Sequence, residues 1–386
     1  MQSGRYYTSR IIGNTEYLVT RQYIKKASNS TLPYTISNDK KEKVKIENIF
    51  YTNCFADCTY LTISAINIKT GEVTDETKTI LGNCAEVYCN EQNMYIVNYS
   101  YNYETDFVSD GSANEYNEDS PELESIDEKT QLIKMSVENG KITPTASADI
   151  DGYINNQFSM DEKDGLFRIA TTSDDNNVLK NNLYILNDSL QLIGNVKGFA
   201  ENEEIKAVRF INDTAYVITY EQTDPLFIID LSNPQSPKIE GEIEITGFSS
   251  QLIPINENLL LGIGTDTAEL YSFKLVLFDI SNKKEPKILD TVVFENCYSE
   301  TKDNHKALII NQNKKYYAVP YSEYTNNHDE IDGIIQFEIT NNKIKIKNKF
   351  VNNNTEDAFW RSRCVYVGDY LYLFNKNNMP YVFYAG

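Results

Sequence analysis

Residues 227–239 read FIIDLSNPQSPKI, and residues 276–288 read VLFDISNKKEPKI. In both segments an apolar run ends at an aspartate, Asp230 or Asp279, and a proline follows seven residues later. Aspartate side chains accept hydrogen bonds from the backbone of tight turns, and proline fits such turns. We therefore interpret Asp230 and Asp279 as turn-capping residues between the third and fourth strands of a repeated unit, and not as catalytic carboxylates.

A second pattern surrounds these turns, namely two apolar runs that are separated by a short polar turn. The turns carry Asn, Asp and Gly, which favour hairpins, and the runs are rich in Val, Ile, Tyr and Phe, which favour strands. Helical periodicity with caps is scarce. We find seven copies of this strand–turn–strand pattern, at residues 9–19, 86–97, 158–170, 207–218, 250–261, 307–319 and 364–373.

Repeated four-stranded units predict an all-β fold of the β-propeller type. One four-stranded sheet cannot bury both of its faces, whereas sheets that pack face to face around a central axis can. We predict a single domain over residues 1–386 with seven blades of four antiparallel strands, and an eighth blade stays open for a longer native chain. The alternative is two or three β-sandwich domains, which would not repeat the Asp-to-Pro turn at the same place in successive units.

The charge balance excludes several classes of function. The 386 residues include 36 Lys and Arg against 56 Asp and Glu, which gives a formal net charge of −20. Nucleic-acid binding needs a basic surface, and anionic membranes are disfavoured for the same reason. No apolar run is long enough to cross a bilayer. Residues 1–7 lack the apolar stretch of a secretory signal, so the chain is either cytosolic or has its signal outside this sequence.

The six cysteines do not form a clear metal or disulfide pattern. Zinc sites use closely spaced cysteine pairs with matching partners, and only two close pairs occur, one of which spans an apparent strand. We favour buried free thiols, while a zinc site and disulfides of unknown pairing stay open as alternatives. The residues are Cys54, Cys58, Cys84, Cys89, Cys297 and Cys364.

Six segments stand at residues 157–162, 207–211, 223–231, 247–250, 259–264 and 305–307. They resemble a family of secreted bacterial and archaeal proteins with a C-terminal β-propeller domain distantly related to WD40 repeats. The resemblance covers nearly the whole chain and is most specific in its middle third. It implies a propeller that is exported to the cell surface or beyond, with no established catalytic residues, and members of the family usually extend further towards the N-terminus.

The first strand of each propeller blade lines the central channel, so residues near the start of that strand point into one mouth. An alignment of the repeats on the tyrosine of the second strand selects mostly cationic residues there. The functional interpretation is a polar funnel for an acidic or hydroxyl-rich ligand, because guanidinium groups suit carboxylates. The alternative is that the arginines bond to carbonyls and acidic side chains of neighbouring blades. The candidates are Arg10, Glu86, Arg209, Gln251, His305, Lys306 and Arg363.

Two other features invite a functional interpretation. Residues 106–128 are rich in Asp and Glu, which suit calcium, but their spacing does not match a known calcium loop, so we favour a solvated acidic insertion and expect no cofactor. Aromatic residues could also stack on sugars. We assign Tyr17, Tyr95, Tyr216 and Tyr372 to the core, and select Tyr116, Tyr321, Tyr324 and Trp360 as exposed candidates.

The leading hypothesis is a monomeric, non-enzymatic, secreted or cell-surface module that binds or scaffolds protein or glycan, without binding nucleic acid or inserting into membranes. Only two histidines and no G-x-S-x-G motif are present, which disfavours serine-hydrolase chemistry. The alternative is a carboxylate-dependent glycosidase or lyase that acts on polysaccharide at the propeller mouth. Such an enzyme would need two carboxyl groups about 5–10 Å apart.

Overall fold

Strands make up nearly all of the regular structure, as the content of β-branched and aromatic residues predicts. The chain separates into two units, Met1–Asn202 and Glu203–Gly386, which we describe one at a time. Our prediction of a single domain over residues 1–386 stays a prediction. The computed structural model describes residues 1–24, 31–37, 39–51, 59–82, 84–102, 127–220, 224–266, 272–311, 314–324, 330–352, 363–374 and 381–384.

In its described residues the first unit contains three short 3-10 helices, Ile46–Asn48, Glu138–Gly140 and Gln157–Ser159, between its strands. Its strands are β1 Arg5–Ile12, β2 Thr15–Tyr23, β3 Tyr34–Ser37, β4 Lys40–Lys43, β5 Ile49–Tyr51, β6 Thr59–Asn67, β7 Lys78–Leu81, β8 Cys84–Cys89, β9 Asn93–Asn102, β10 Asp127–Ser136, β11 Thr143–Asp151, β12 Met160–Lys163, β13 Leu166–Asp175, β14 Val178–Leu186 and β15 Leu192–Phe199.

Within the ranges of the second unit that the structure describes there are two 3-10 helices, Glu300–Lys302 and His305–Ala307. Its strands are β16 Glu204–Ile211, β17 Thr214–Tyr220, β18 Asp224–Asp230, β19 Lys238–Ile245, β20 Phe248–Asn256, β21 Leu259–Thr265, β22 Ser272–Asp279, β23 Lys287–Glu295, β24 Cys297–Tyr298, β25 Ile309–Asn311, β26 Tyr316–Tyr324, β27 Glu330–Thr340, β28 Lys343–Asn352, β29 Arg363–Val367, β30 Tyr370–Phe374 and β31 Tyr381–Tyr384.

Each of the seven sequence repeats forms the first two strands of a separate sheet. Four sheets are four-stranded and antiparallel in chain order, namely β8–β11, β12–β15, β16–β19 and β20–β23. The first sheet has the order β1-β2-β6-β7-β5, in which β5 and β7 run parallel. The sixth divides its first strand into β24 and β25, and the last has three strands in the described residues. The predicted four-stranded antiparallel unit is therefore confirmed, with local departures in three sheets.

The hairpin turns between strands contain the residue types that the sequence predicted. Asp164 and Gly165 connect β12 to β13 with φ of 53° and 74°, and Asn341 and Asn342 connect β27 to β28 with φ of 50° and 58°. Two successive left-handed residues define the turn whose twist matches that of paired strands, and Asn, Asp and Gly tolerate this conformation. The polar turns of the sequence therefore set the hairpin register.

The outer strands are bulged. In every four-stranded antiparallel sheet the fourth strand lies at the edge, and its register against the third strand shifts by an extra residue. The same shift occurs between β27 and β28. A bulge of this kind bends the edge strand and increases its twist. The shifts fall at Lys134/Met135, at Asn181/Asn182 and Ile185/Leu186, at Ile228/Ile229, at Leu277/Phe278 and at Gln336/Phe337.

Alternating residues of one strand pack against two different neighbours. In β9, Met94 and Ile96 join the apolar cluster shared with the first sheet, whereas Tyr95 and Val97 join the cluster shared with the third sheet. The rings of Tyr95 and Phe167 stack with their centroids 4.0 Å apart. In the second unit, β21 does the same through Leu260 on one face and Leu261 on the other. Each of these side chains stabilises the fold by about 1.5–3 kcal/mol.

The Asp-to-Pro turns have the capping role that the sequence predicted. Ser232 N donates to Asp230 Oδ1 at 3.0 Å, and Ser281 N and Oγ donate to Asp279 Oδ1 at 2.9 and 2.6 Å. The Ser281 hydroxyl and amide hold the pKa of the Asp279 carboxyl below its ordinary value. Both aspartates therefore stabilise the turn that leads from the third to the fourth strand.

We expect Asp279→Ala to lower the free energy of unfolding by about 1 kcal/mol, because two hydrogen bonds of the turn are lost. Since the folded carboxyl has the lower pKa, the unfolded chain takes up more protons in acid, and the stabilisation is lost as the pH falls below about 4. Urea unfolding at pH 7 and pH 3 measures both effects. Asp279→Asn keeps an acceptor and is the control, so an equal loss in both variants would contradict the capping role.

Candidate functional site

The register of the hairpins separates the seven candidate residues into different positions. Arg10 pairs with Tyr17, and Arg209 pairs with Tyr216, so these two arginines are equivalent. Glu86 lies opposite Val97, whereas Tyr88 lies opposite Tyr95, so Glu86 is two residues away from the position that matches Arg10. Gln251 and Arg363 lie further from their hairpin turns, opposite Ile263 and Phe374. His305 and Lys306 precede β25 in a 3-10 helix. The common alignment on the tyrosine is therefore wrong for all but the two arginines.

In the first unit, Arg10 bridges to the start of the third sheet. Its Nη2 donates to Gln157 Oε1 at 3.0 Å, and its Nη1 donates to the Ser9 carbonyl at 2.9 Å and to Thr8 Oγ1 at 3.2 Å. Gln157 opens the 3-10 helix that leads into β12. Arg10 thus bonds to its own strand and to an amide oxygen that precedes the third sheet, and the ligand funnel stays a prediction.

Glu86 lies near two arginines and is nevertheless a weak acid. Burial raises the pKa of the Glu86 carboxyl, while the Val87 amide, Arg21 and Arg10 act in the opposite direction. Desolvation disfavours the ionised form, and here it outweighs the attraction of the two guanidinium groups. The structure therefore brings Arg10 and Glu86 together, and it adds Arg21, which the sequence analysis did not select.

Arg21 connects the first and second sheets. Its Nη2 donates to the Cys84 carbonyl, and its guanidinium carbon lies 4.5 Å from the centroid of the Tyr7 ring. Burial raises the pKa of the Tyr7 hydroxyl to about 12, so this ring is neutral. A charged residue in a second strand that otherwise buries Tyr17 and Val19 is the signal that could have identified Arg21.

In the second unit, Arg209 and Gln251 bond to backbone carbonyls. Arg209 Nε donates to the Leu252 carbonyl of the next sheet at 2.9 Å. Gln251 is buried and donates from Nε2 to the Lys302 carbonyl at 3.3 Å. Both side chains hold adjacent segments in place.

Residues 297–307, which we call the braced turn, include the candidates His305 and Lys306 and accept hydrogen bonds from Gln251 and Arg363. Arg363 Nη1 donates to Glu300 Oε1 at 2.6 Å, and Asn304 Nδ2 donates to the same oxygen at 3.3 Å. Lys302 Nζ donates to Thr265 Oγ1 at 2.9 Å, and burial lowers the pKa of its ammonium group. The Lys302 carbonyl also accepts from Ser250 Oγ at 2.6 Å. Gln251 and Arg363 thus meet at this turn.

Further bonds fix the beginning and the end of the braced turn. Ser299 Oγ donates to the Pro320 carbonyl at 2.6 Å, and Tyr298 OH donates to Asp303 Oδ2 at 2.7 Å. Asn304 caps the second 3-10 helix by accepting from Lys306 N at 3.0 Å, and the Lys306 side chain is exposed. Glu300 and Lys302 were missed by the sequence analysis because they precede the repeat motif, although an inserted polar segment before the strand was visible.

The predictions for the aromatic residues are confirmed in part. Tyr17, Tyr95 and Tyr216 are buried in the core as predicted, and Tyr372 is half-buried. The prediction that Tyr321 is exposed is wrong, because β26 continues through it and its ring joins the core between the fifth and sixth sheets. Tyr116, Trp360 and the side chain of Tyr324 lie outside the described residues.

The cysteines of the described segments are all free, namely Cys84, Cys89, Cys297 and Cys364. Burial raises the pKa of the Cys84, Cys297 and Cys364 thiols to about 12 and that of Cys89 to about 11. These thiols are therefore protonated at neutral pH and poorly nucleophilic. Cys54 and Cys58 lie outside the described residues.

The described ranges contain no group of three or more His, Cys, Asp or Glu side chains that could hold a metal ion. Most of the acidic segment 106–128, where calcium was considered, falls outside these ranges. Within the described part of the chain, no helix is long and apolar enough to span a membrane.

We expect Glu86→Gln to raise the free energy of unfolding at pH 7, because burial raises the pKa of this carboxyl. The folded carboxyl binds its proton more tightly than the unfolded one, so ionisation above pH 4–5 destabilises the fold, and the neutral amide avoids this cost. The gain should vanish at pH 3, where glutamate is neutral in both states. Denaturant unfolding at the two pH values is the measurement.

Glu76→Gln is the matched control for this prediction. Hydrogen bonds from Lys45 and Asn48 lower the pKa of the exposed Glu76 carboxyl, so the same substitution there should not stabilise the protein at pH 7. A loss of stability at pH 7 in Glu86→Gln would show that the pairing with Arg21 and Arg10 outweighs burial.

We expect the four described thiols to be unreactive in the folded protein. In a Cys54→Ser/Cys58→Ser variant, a disulfide reagent such as DTNB at pH 8 should label no thiol within minutes and four per chain after urea unfolding, because burial keeps the thiols protonated. Fewer than four thiols after unfolding would reveal a disulfide. Rapid labelling of the native protein would contradict the burial.

Comparison with known proteins identifies the repeated sheets. The profile of the family described as "Beta propeller domain" matches residues 1–383. An uncharacterized protein of Methanocaldococcus jannaschii is 29% identical over 440 aligned residues, which cover 98% of this chain and 67% of that protein. An uncharacterized protein of Archaeoglobus fulgidus is 35% identical over 246 residues, or 64% of this chain. This chain matches only 36% of the length of the Archaeoglobus protein.

Two solved structures are similar at low sequence identity. BamB from Moraxella catarrhalis matches with a TM-score of 0.43 and 9% identity over 95% of this chain and 93% of that one. A puromycin-hydrolyzing peptidase of Mycobacterium tuberculosis matches with a TM-score of 0.42 and 9% identity over 96% of this chain and 58% of that one. Both TM-scores are below 0.5, so neither likeness bears on what this protein does.

Proposed function

This chain belongs to the beta propeller domain family, and from that premise we propose that it is a non-enzymatic, secreted or cell-surface module that binds or scaffolds protein or glycan. The all-β propeller fold is confirmed, while the number of blades, the kinship with WD40 repeats and the export stay predictions. Propellers often bind partners through loops at one end of the ring.

The braced turn is the observation that carries the proposal. Hydrogen bonds hold it to β20, β21, β26 and β29, and it presents Lys306 at the surface. A loop that is already ordered loses little conformational entropy on binding, which favours recognition. This degree of order in a polar insertion exceeds what a simple connection between strands requires.

The bonds made by the candidate residues favour a binding role over catalysis. Glu300 Oε1 already accepts hydrogen bonds from Arg363 and Asn304. Arg10, Arg209 and Gln251 are engaged with neighbouring segments. Side chains fixed in this way give a rigid surface for recognition, and they would have to break existing bonds before they could act on a substrate.

A carboxylate-dependent enzyme that acts on polysaccharide is the second candidate, and one observation favours it. Glu86 has the raised pKa that a general acid needs. This enzyme would need a second carboxyl group at a suitable distance. In the proposed binding module, the raised pKa of Glu86 instead reflects the cost of burying a carboxyl group between packed sheets.

Protein and glycan arrays, probed with the purified chain with and without calcium, test the binding role. We expect reproducible binding to members of one class, and we expect Lys306→Glu to weaken it by about tenfold through the loss of one favourable charge contact. Lys141→Glu makes the same charge change at another exposed position and should bind normally. Binding that calcium strengthens would point to the acidic segment.

Two results would contradict the proposal. The first is the absence of any protein or glycan partner on the arrays. The second is the release of oligosaccharides from a polysaccharide panel in a reaction that Glu86→Gln abolishes, which would identify the chain as an enzyme.

A further inference from the structure

The last sheet differs from the fourth and fifth sheets in the burial of its second strand. In β17 and β21 the central residues are buried without interruption, because the side chains of both faces are covered. In β30, Leu371 and Leu373 are buried, whereas Tyr370 and Phe374 are exposed and Tyr372 is half-buried. Side chains alternate between the two faces of a strand, so the last sheet buries one face and exposes the other.

The buried face packs against the sixth sheet. Leu371 and Leu373 join an apolar cluster with Ile334 of β27. The rings of Phe350 and Phe383 lie with their centroids 5.1 Å apart. This face therefore has its neighbour within the second unit.

The opposite face of the last sheet is exposed and apolar. Cross-strand pairing brings Val365 and Val382 beside Tyr372, and it brings Val367 and Tyr384 beside Tyr370. The rings of Tyr370 and Tyr384 meet edge to face with their centroids 5.5 Å apart. We call this surface the open face. Its exposed residues, between 40% and 63% accessible, are Val365, Val367, Tyr370, Phe374, Val382 and Tyr384.

The residue types of the open face are those of a covered surface. An antiparallel sheet with one solvated face alternates apolar and polar residues, but β30 reads YLYLF and β31 reads YVFY. The three strands carry one charged residue, Arg363, which lies at the edge of the sheet and bonds to Glu300 at 2.6 Å. Contiguous exposed apolar patches of this kind mark interaction surfaces.

The first sheet provides a contrast in the face that points away from the second sheet. Thr20, Thr62 and Thr79 form a row across that face, and each is at most 5% exposed. Residues of the same unit cover the row, since Gln2 Nε2 donates to Thr20 Oγ1 at 2.8 Å and Thr20 Oγ1 donates to the Ser3 carbonyl at 2.6 Å. The open face is instead apolar and exposed, so it needs an apolar partner surface.

We propose that two copies of this chain pack together through their open faces, sheet against sheet, around a twofold axis. In a twofold dimer the same surface serves both partners, so it must be complementary to itself. An apolar sheet face meets this condition, because two such faces pack about 10 Å apart with interdigitating side chains. The proposal replaces the monomer that the sequence analysis expected.

The size of the open face fits a dimer. A fully covered aromatic side chain buries about 150–250 Å². The six side chains, which are roughly half exposed, therefore offer on the order of 600 Å² per copy. Two copies would bury about 1,200 Å² in total, which exceeds the ~1,000 Å² expected of a specific interface.

Charge also favours a second copy over a basic partner. A basic partner would be held by acidic residues, and the three strands of the last sheet contain none. Two copies with a net charge of −20 repel each other at a distance. Salt screens this repulsion and leaves the apolar contact intact, so dimerisation should strengthen as the salt concentration rises.

Sedimentation equilibrium of the whole chain between about 1 and 100 μM tests the proposal. We expect a species of twice the mass of the chain. Val382→Glu places a carboxylate in the contact and should weaken dimerisation at least a hundredfold. Val293→Glu makes the same change at an exposed valine of β23, and this matched control should dimerise as the unmodified chain does.

Four results would overturn the proposal. The first is a single-chain mass at every concentration, and the second is a dimer that Val382→Glu weakens no more than Val293→Glu does. The third is dimerisation that weakens in high salt. The fourth is a much larger fall in the thermal midpoint of the dilute chain for Val382→Glu than for Val293→Glu, because Val382 would then already be covered within one chain. None of these results depends on the array experiments, so the dimer and the binding function can fail separately.

Discussion

The whole arrangement depends on the need to bury both faces of each sheet. Strands such as β9 and β21 place alternate side chains into two different apolar clusters, so neither strand has a polar face along its central part. A sheet of this kind is stable only between two neighbours. The repeated sequence pattern, the short hairpins and the stacked rings of Tyr95 and Phe167 are all consequences of this requirement.

Hydrogen bonds from arginine side chains add to the apolar packing between the sheets. Arg10, Arg209 and Arg363 each reach from a first strand to a neighbouring segment, where they bond to an amide oxygen, a carbonyl or a carboxylate. A guanidinium group presents several donors in fixed directions, so it can satisfy such acceptors at the ends of strands. Apolar contact thus holds the sheets together, and the arginines fix the segments around their ends. The surfaces available for recognition are built on this second set of contacts.

The sequence predicted the repeat well because its signals are local. A hairpin turn or an aspartate cap is determined by a few adjacent residues, and Asp230 and Asp279 behave as expected. It was harder to predict which residues of different repeats occupy equivalent positions. Glu86 pairs with Val97 and Gln251 pairs with Ile263, so both lie further from their hairpin turns than Arg10 lies from its own, and this pairing is not visible in the sequence. Tyr321 was misjudged because no local signal shows where β26 ends.

The bulges in the outer strands have a consequence for the protein at high concentration. A flat edge strand exposes a row of free N–H and C=O groups to which a strand of another molecule can add. The register shifts of β11, β15, β19, β23 and β28 twist these edges and interrupt the regular spacing of the groups. A chain whose described regular structure is mostly strand can therefore stay dispersed where its sheet edges would otherwise join into fibrils.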